Sequence, residues 1–405
     1  MPGSVYYGWW IVAGVFLVLT VSSGFGFYNL SVYINVLAAA RGFSVSEISV
    51  AVSLFFVVGG VTGMTVARLI ERHDVRWVMV AGAVLGGLTL GAVGSATALW
   101  QIYLLFTLFG IGNSAVSIVT ATTLITRWFP GPNRSVALSI ASTGLSTGGI
   151  VLTPLSAAWL NAWGVEATMP WLGALFCLLV IPVCLWVVRG HPPAPGDAGA
   201  AAGPAADDWR YGDAVRTRFF VLVTLAYVFC MGSQVGGIAH LYNRTEQVAD
   251  YRTAALAVQA LTLASILGRF LGGWLVTRVP IRPFTLGNVC NQALGLTLVA
   301  TAAEPAQVIA GALVFGASVG NLLMLHPLWL ADAFGGAAYA RIFSLSNAVS
   351  VLGVAAGPSV LGFVFDGYGY GPAYFCGVAG SAVALSLMLA AGPRPRRAAA
   401  SSPAA

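Results

Sequence analysis

Long runs of apolar residues, separated by short polar punctuation, repeat along the whole chain. A helix needs about 20 such residues to cross the hydrocarbon of a bilayer. Twelve runs meet that length, at roughly 9–37, 46–69, 77–96, 99–126, 135–160, 168–188, 218–242, 253–277, 283–303, 306–331, 341–364 and 371–391. The pattern predicts an all-α membrane protein with 12 transmembrane helices. The first run, from Trp9 onward, lacks a basic leader and a small-residue cleavage site, so it is read as a span and not as a signal peptide.

One long interruption divides the runs. Arg189 to Thr217 contains His191-Pro-Pro-Ala-Pro-Gly, an Ala/Gly/Pro run and Asp207-Asp208, a composition that cannot bury a core. The expected organisation is therefore a six-helix half over 1–188, a flexible linker over 189–217, a second six-helix half over 218–391 and a disordered tail over 392–405. The halves echo each other. Leu69, Arg72 and Arg76 recur as Leu275, Arg278 and Arg282, and Phe129 recurs as Phe334 at nearly the same offset. Gly144 to Pro154 and Gly353 to Pro358 are Gly- and Pro-containing stretches that follow. Such echoes fit parallel repeats related by an axis along the membrane normal.

Composition sharpens this picture. The chain is 58% hydrophobic and 8% charged, against about a quarter charged in soluble domains. Its 19 basic residues are all arginine. Fifteen of them fall on the side that holds both termini and the linker, and only Arg41, Arg244 and Arg252 on the other. That asymmetry places both termini in the cytoplasm of a cell (inner) membrane. No basic face with interleaved aromatics exists for nucleic acid. The five cysteines lie in apolar segments without CxxC spacing, which argues against a metal site or disulfide framework. No paired carboxylates, nucleophile with base or phosphate loop stands in a polar segment, so neither an enzyme nor a cofactor is expected.

Arg269 is the only one of the 32 charged residues well inside an expected span, so no acid lies deep in one. A cation at the bilayer centre costs about 2.5–3.5 kcal/mol on insertion scales, so it needs a partner. It lies nine residues from Arg278, roughly 13 Å into the membrane and too deep to snorkel. A guanidinium fork suits a carboxylate; the alternative is a structural arginine bonded to backbone carbonyls.

The two six-helix halves, with an arginine-bearing loop after the second and eighth spans, resemble the major facilitator superfamily. Glu71 stands at the acidic position of the first loop, Thr277 at that of the second. A narrower resemblance is to the monocarboxylate transporter branch and its bacterial relatives, including oxalate/formate antiporters. Tyr7-Gly8-Trp9-Trp10, Arg127-Trp128-Phe129 through Arg134 to Gly144, Gly268-Arg269 with Pro280-Ile281-Arg282-Pro283, and Phe334 through Tyr339 and Arg341 carry it. In that branch the eighth-span arginine binds the substrate carboxylate, which implies the same role for Arg269. Animal members have an aspartate where Ser265 stands, and oxalate-type antiporters have a second cation in the eleventh span, where this chain offers Asn347 and Ser350. One fixed positive charge balances one carboxylate; a second carboxylate would be buried without a counter-ion.

The resemblance implies a secondary active transporter of a small monocarboxylate such as lactate or pyruvate, a proton symporter working by alternating access as a monomer. A carboxylate exchanger, and an efflux transporter of a drug or metabolite, are the alternatives. Tyr28, Asn29, Val119, Leu145, Ser265, Met324 and His326 are further candidates for the substrate site. His240 and His326 can titrate near neutral pH and are candidate proton carriers. Glu71, Arg72, Arg76, Arg278 and Arg282 are expected to form the cytoplasmic gate, an ion-pair latch of the outward-open state.

Overall fold

Residues 6–129, 134–190, 209–276, 278–335 and 339–395 are described by a computed structural model. Side chains at 64, 67, 71, 126, 134, 135, 339 and 340 are outside that description. The expected linker residues 191–208, Thr277 and the end of the tail from 396 therefore lie outside the described residues.

Among the described residues, ten helical segments are long and apolar enough to cross a membrane. One of them, Val136–Trp186, is two crossings: Gly164 breaks it at φ 76°, a left-handed conformation that favours glycine. Ile281–Ala300 is a further crossing whose polar residues lower its hydropathy. Within it, Asn291 donates to the Val314 carbonyl at 2.7 Å, and Gln292 to that of Cys230 and to Ser381 Oγ, both at 3.1 Å. The described residues thus contain twelve crossings, numbered here as spans 1–12. Span 1 is Gly8–Arg41, span 2 Val45–Arg72, span 3 Val75–Ser95 and span 4 Leu99–Trp128. Spans 5 and 6 are 134–163 and 165–186. Span 7 is Arg218–Glu246, span 8 Tyr251–Leu275, span 9 Ile281–Ala300, span 10 Pro305–Phe334, span 11 Tyr339–Tyr368 and span 12 Tyr370–Ala391.

Local chemistry fixes several ends. Ser44 and Glu47 form a reciprocal capping box at the start of span 2, and the Asp74, Thr217 and Asp250 side chains cap spans 3, 7 and 8. In span 1 the helix widens into a π turn over Gly24–Tyr28 before continuing as Asn29–Arg41.

The aromatic motifs meet at equivalent places in the two halves. Tyr6 and Trp9 pack on Phe129, and the Tyr6 hydroxyl donates to the Trp128 carbonyl at 2.6 Å. Trp209 and Phe219 pack on Phe334 in the same way. Trp209 and the short helix Tyr211–Val215, with Ala214 buried, lie within the stretch expected to be linker. That expectation needs correcting for 209–217: a single tryptophan and a buried alanine are enough to dock it against span 10. The opposite ends are tied too. Arg41 at the end of span 1 donates to the Gly94 carbonyl, and Arg244 near the end of span 7 donates to those of Val299, Ala300 and Ala302. Each closes the last turn of the third span in its own half.

Between the halves, span 2 packs on span 11 and span 5 on span 8. From one end, span 2 meets span 11 through Ser46 and Asp366, then Ser49 and Gly362, then Ser53 and Ser359, then Gly60 and Val351. Past this point Gly63 has nothing within 4 Å of a built Cβ, and Leu345 and Asn347 are exposed. The halves therefore diverge toward the end that carries the chain termini and most arginines, called here the basic face. They are closed at the opposite face.

Candidate functional site

Arg269 sits on span 8 where it crosses span 5. Its Nη1 donates to the Ser142 carbonyl at 3.2 Å, so the guanidinium reaches from one half to the other. Among the described residues neither ion pair involves it. None of its nitrogens is among the buried atoms that lack a partner. Its charge is therefore met by a backbone carbonyl and by no acid among the described residues.

Tyr28 completes this centre from span 1. Its hydroxyl lies near Ser146 of span 5 and within electrostatic reach of Arg269. Its ring leans on Gly149, where a side chain would displace it. Ser265 is one turn from Arg269, fully buried, and its Oγ has no partner. Asn29, next to Tyr28, is tied elsewhere: its Nδ2 donates to Ser156 Oγ at 2.6 Å, and its Oδ1 is buried without a partner. Val119 is 41% exposed, and Leu145 and Met324 are half-buried. They offer apolar surface and make no polar side-chain contact to Arg269 among the described residues.

The two histidines have different surroundings. His326 stacks on Tyr227 at 3.9 Å between ring centres, and its Nε2 lies 2.8 Å from Ser346 Oγ, itself 2.9 Å from Thr224 Oγ1. These groups belong to spans 7, 10 and 11 of one half, and the structure does not bring His326 to Arg269. His240 lies between the halves, near the opposite face. Its Nε2 is 2.9 Å from the Pro358 carbonyl and 3.4 Å from Ser49 Oγ of span 2, and its Nδ1 is 3.4 Å from the Tyr370 hydroxyl.

Two acids not anticipated in the site stand at the same face. Asp366 of span 11 accepts the Ser46 backbone N–H of span 2 at 3.0 Å, and Glu246 of span 7 accepts the Asn35 side-chain N–H of span 1. Both bonds cross between halves. Spans 7 and 11 continue as helices beyond the apolar runs that defined them, which brings both acids onto helix ends at this face.

At the basic face the proposed gate residues pair within their own halves. Arg76 binds Asp74 at 2.8 Å, Arg278 lies over the Trp274 ring at 3.8 Å, and Arg282 donates to the Leu389 carbonyl at 3.3 Å. Arg72 is exposed. Glu71 lies in the last turn of span 2, with its side chain outside the described residues. No latch between halves is formed there among the described residues, as expected for a state open at that face.

Comparison with known proteins agrees with this architecture. A bacterial homologue of the lysosomal transporter Spinster, inward-facing and occupied, superposes with a TM-score of 0.70 over 96% of this chain and 97% of its own, at 15% identity. An MFS-type transporter of Bacillus subtilis, YcxA, is 30% identical over 57% of this chain and 56% of its own length. The oxalate:formate antiporter of Oxalobacter formigenes is 26% identical over 96% of this chain and 92% of its own, and monocarboxylate transporter 13 of Bos taurus is 26% identical over 78% and 73%. Residues 16–305 match the Major Facilitator Superfamily. With twelve crossings in two echoing halves among the described residues and a sequence match over most of its length, the chain belongs to the Major Facilitator Superfamily.

Proposed function

We propose that this protein carries a small monocarboxylate across the cell membrane by alternating access, with both termini in the cytoplasm and a proton moving with the anion. The moving bodies are taken as 1–188 and 218–391. In that orientation the described state is inward-open. One observation carries the substrate reading: Arg269, at the junction of the halves, donates Nη1 to a backbone carbonyl and has no acidic partner among the described residues. A carboxylate fits that fork and neutralises its single charge. Val119, Leu145 and Met324 supply surface for a short alkyl part.

The proton is assigned to the seam at the opposite face. His240, Asp366 and Glu246 stand there between halves that must separate in the outward-open state, and His326 does not. Opening would hydrate these groups and closing would desolvate them, which links protonation to the state of the gate.

Uptake of labelled lactate, pyruvate, formate, acetate and oxalate into proteoliposomes, with and without an inward proton gradient, tests both parts. Monocarboxylate uptake should rise with the gradient. Arg269→Gln should lower the transport efficiency on the order of a hundredfold, the effect of truncating one partner of a buried charge pair. An Arg269→Gln protein that transports like the parent would show that the anchor is misassigned. The likeness to an oxalate:formate antiporter along nearly the full length favours exchange as the second reading. Uptake driven by internal substrate and indifferent to the gradient would select it.

A further inference from the structure

Away from the substrate site, the basic face of the first half holds a cavity of about 650 Å³. Four arginines line it, Arg72 and Arg76 beside the connection from span 2 to span 3, Arg127 at the end of span 4, and Arg189 just after span 6. His73 and Asp74 complete its polar wall. Among the described residues the ion pair there is that of Arg76 with Asp74. Arg127 donates to the Ile70 carbonyl at 3.2 Å and the Arg189 guanidinium lies 4.2 Å above the Tyr7 ring, neither of which supplies a negative charge. The backbone around them is braced. Trp128 Nε1 donates to the Arg189 carbonyl at 2.8 Å, and the Tyr7 hydroxyl donates to that of Val187 at 2.9 Å.

Guanidinium groups converging from three connections, with one acid among the described lining residues, form a receptor for a multivalent oxyanion. The level of the cavity selects the source of that oxyanion. Trp77, at the start of span 3, is 64% exposed, and Trp186, at the end of span 6, is 77% exposed. Exposed tryptophans at helix ends mark the headgroup level of a bilayer. Basic pockets between spans on the cytoplasmic side suit the headgroups of anionic lipids.

We infer that this cavity binds the phosphodiester headgroup of an anionic glycerolipid, and that the headgroup ties the ends of spans 2, 4 and 6 to one another. The inference takes from the proposed function only the orientation of the basic face. It is tested in detergent, where orientation plays no part, so its failure would leave the carboxylate reading untouched and the reverse also holds.

Native mass spectrometry of the full chain, titrated with phosphatidylglycerol or phosphatidylcholine, reads the site directly. Phosphatidylglycerol should be retained in preference. Arg127→Gln with Arg189→Gln should weaken that retention roughly fivefold for each arginine lost, the attraction of one basic side chain to an anionic surface. Arg216→Gln with Arg218→Gln, equally basic but outside the cavity, should leave it unchanged. Glycerol phosphate should fail to displace the lipid. Should the glutamine pair fail to fold, His73→Glu, which sets a negative charge in the cavity wall from an exposed side chain, is read in its place and should weaken retention similarly. Equal retention of the two lipids, or an equal loss in the Arg216/Arg218 control, would overturn the inference. Displacement by glycerol phosphate would overturn the lipid as the source and assign the cavity to a soluble phosphate ester.

Discussion

The halves of this transporter are joined very differently at its two faces. At the opposite face, polar groups of one half are satisfied by the other: the Asn35 side chain by Glu246, the Ser46 backbone N–H by Asp366, and the Ser53 hydroxyl by Ser359 at 2.7 Å. At the basic face, Arg76, Arg278 and Arg282 find partners inside their own halves. The difference teaches how such a molecule can hold a state without a rigid lock. A few polar bonds close one end, and at the other end the charges that could close it are occupied locally. Switching then requires exchange of one set for the other, with each half staying intact.

The strongest way to break this contrast is to remove both acids from the closed seam. A hydrogen bond to a charged group contributes about 1.5–3 kcal/mol net, so Glu246→Ala with Asp366→Ala should raise the open population at that face on the order of a hundredfold. The rate at which an impermeant thiol reagent labels Ser53→Cys, with Cys290 and Cys376 replaced by serine, measures it. Unchanged labelling would mean that packing alone holds the seam.

A smaller effect separates the junction between halves from the packing within one. A methyl group at Gly149 would collide with Thr262 across spans 5 and 8 and with the Tyr28 ring. Overpacking costs about 1–3 kcal/mol, so Gly149→Ala should shift the same labelling about tenfold. Gly353→Ala instead collides with the Val228 backbone inside the second half. It should lower the thermal midpoint and leave labelling of the surviving folded protein unchanged. The smallest shift is expected from Ser49→Ala, which removes the neutral bond to His240 across the seam, worth about 0.6 kcal/mol in a membrane interior, and should change labelling about threefold.

The twelve crossings, the repeated halves and the isolation of Arg269 were legible in the sequence, because each is a statement about where polar groups are missing. The partners of polar groups were less legible. Apolar runs stop where helices 7 and 11 do not, which hid Glu246 and Asp366 among presumed loop residues. His326 shares a depth with Arg269, but depth does not give azimuth, and its ring faces Tyr227. Trp209 sits at the edge of a Gly/Ala/Pro-rich stretch whose composition masked its docking on Phe334. Arg41 and Arg244 were read only as counter-evidence in a charge count, whereas both finish the third span of their half by binding its last carbonyls.

The π turn at Gly24–Tyr28 makes the length of span 1 a form of information. Loss of one residue there would leave hydropathy, predicted topology and most of the contacts before Gly24 intact. It would nonetheless turn everything after the turn by about 100°. Asn35 would then face away from Glu246, and Asn29 from Ser156. Span 1 therefore has a reading frame, and a deletion that composition cannot detect would disconnect the substrate end of the helix from the clasp at its far end.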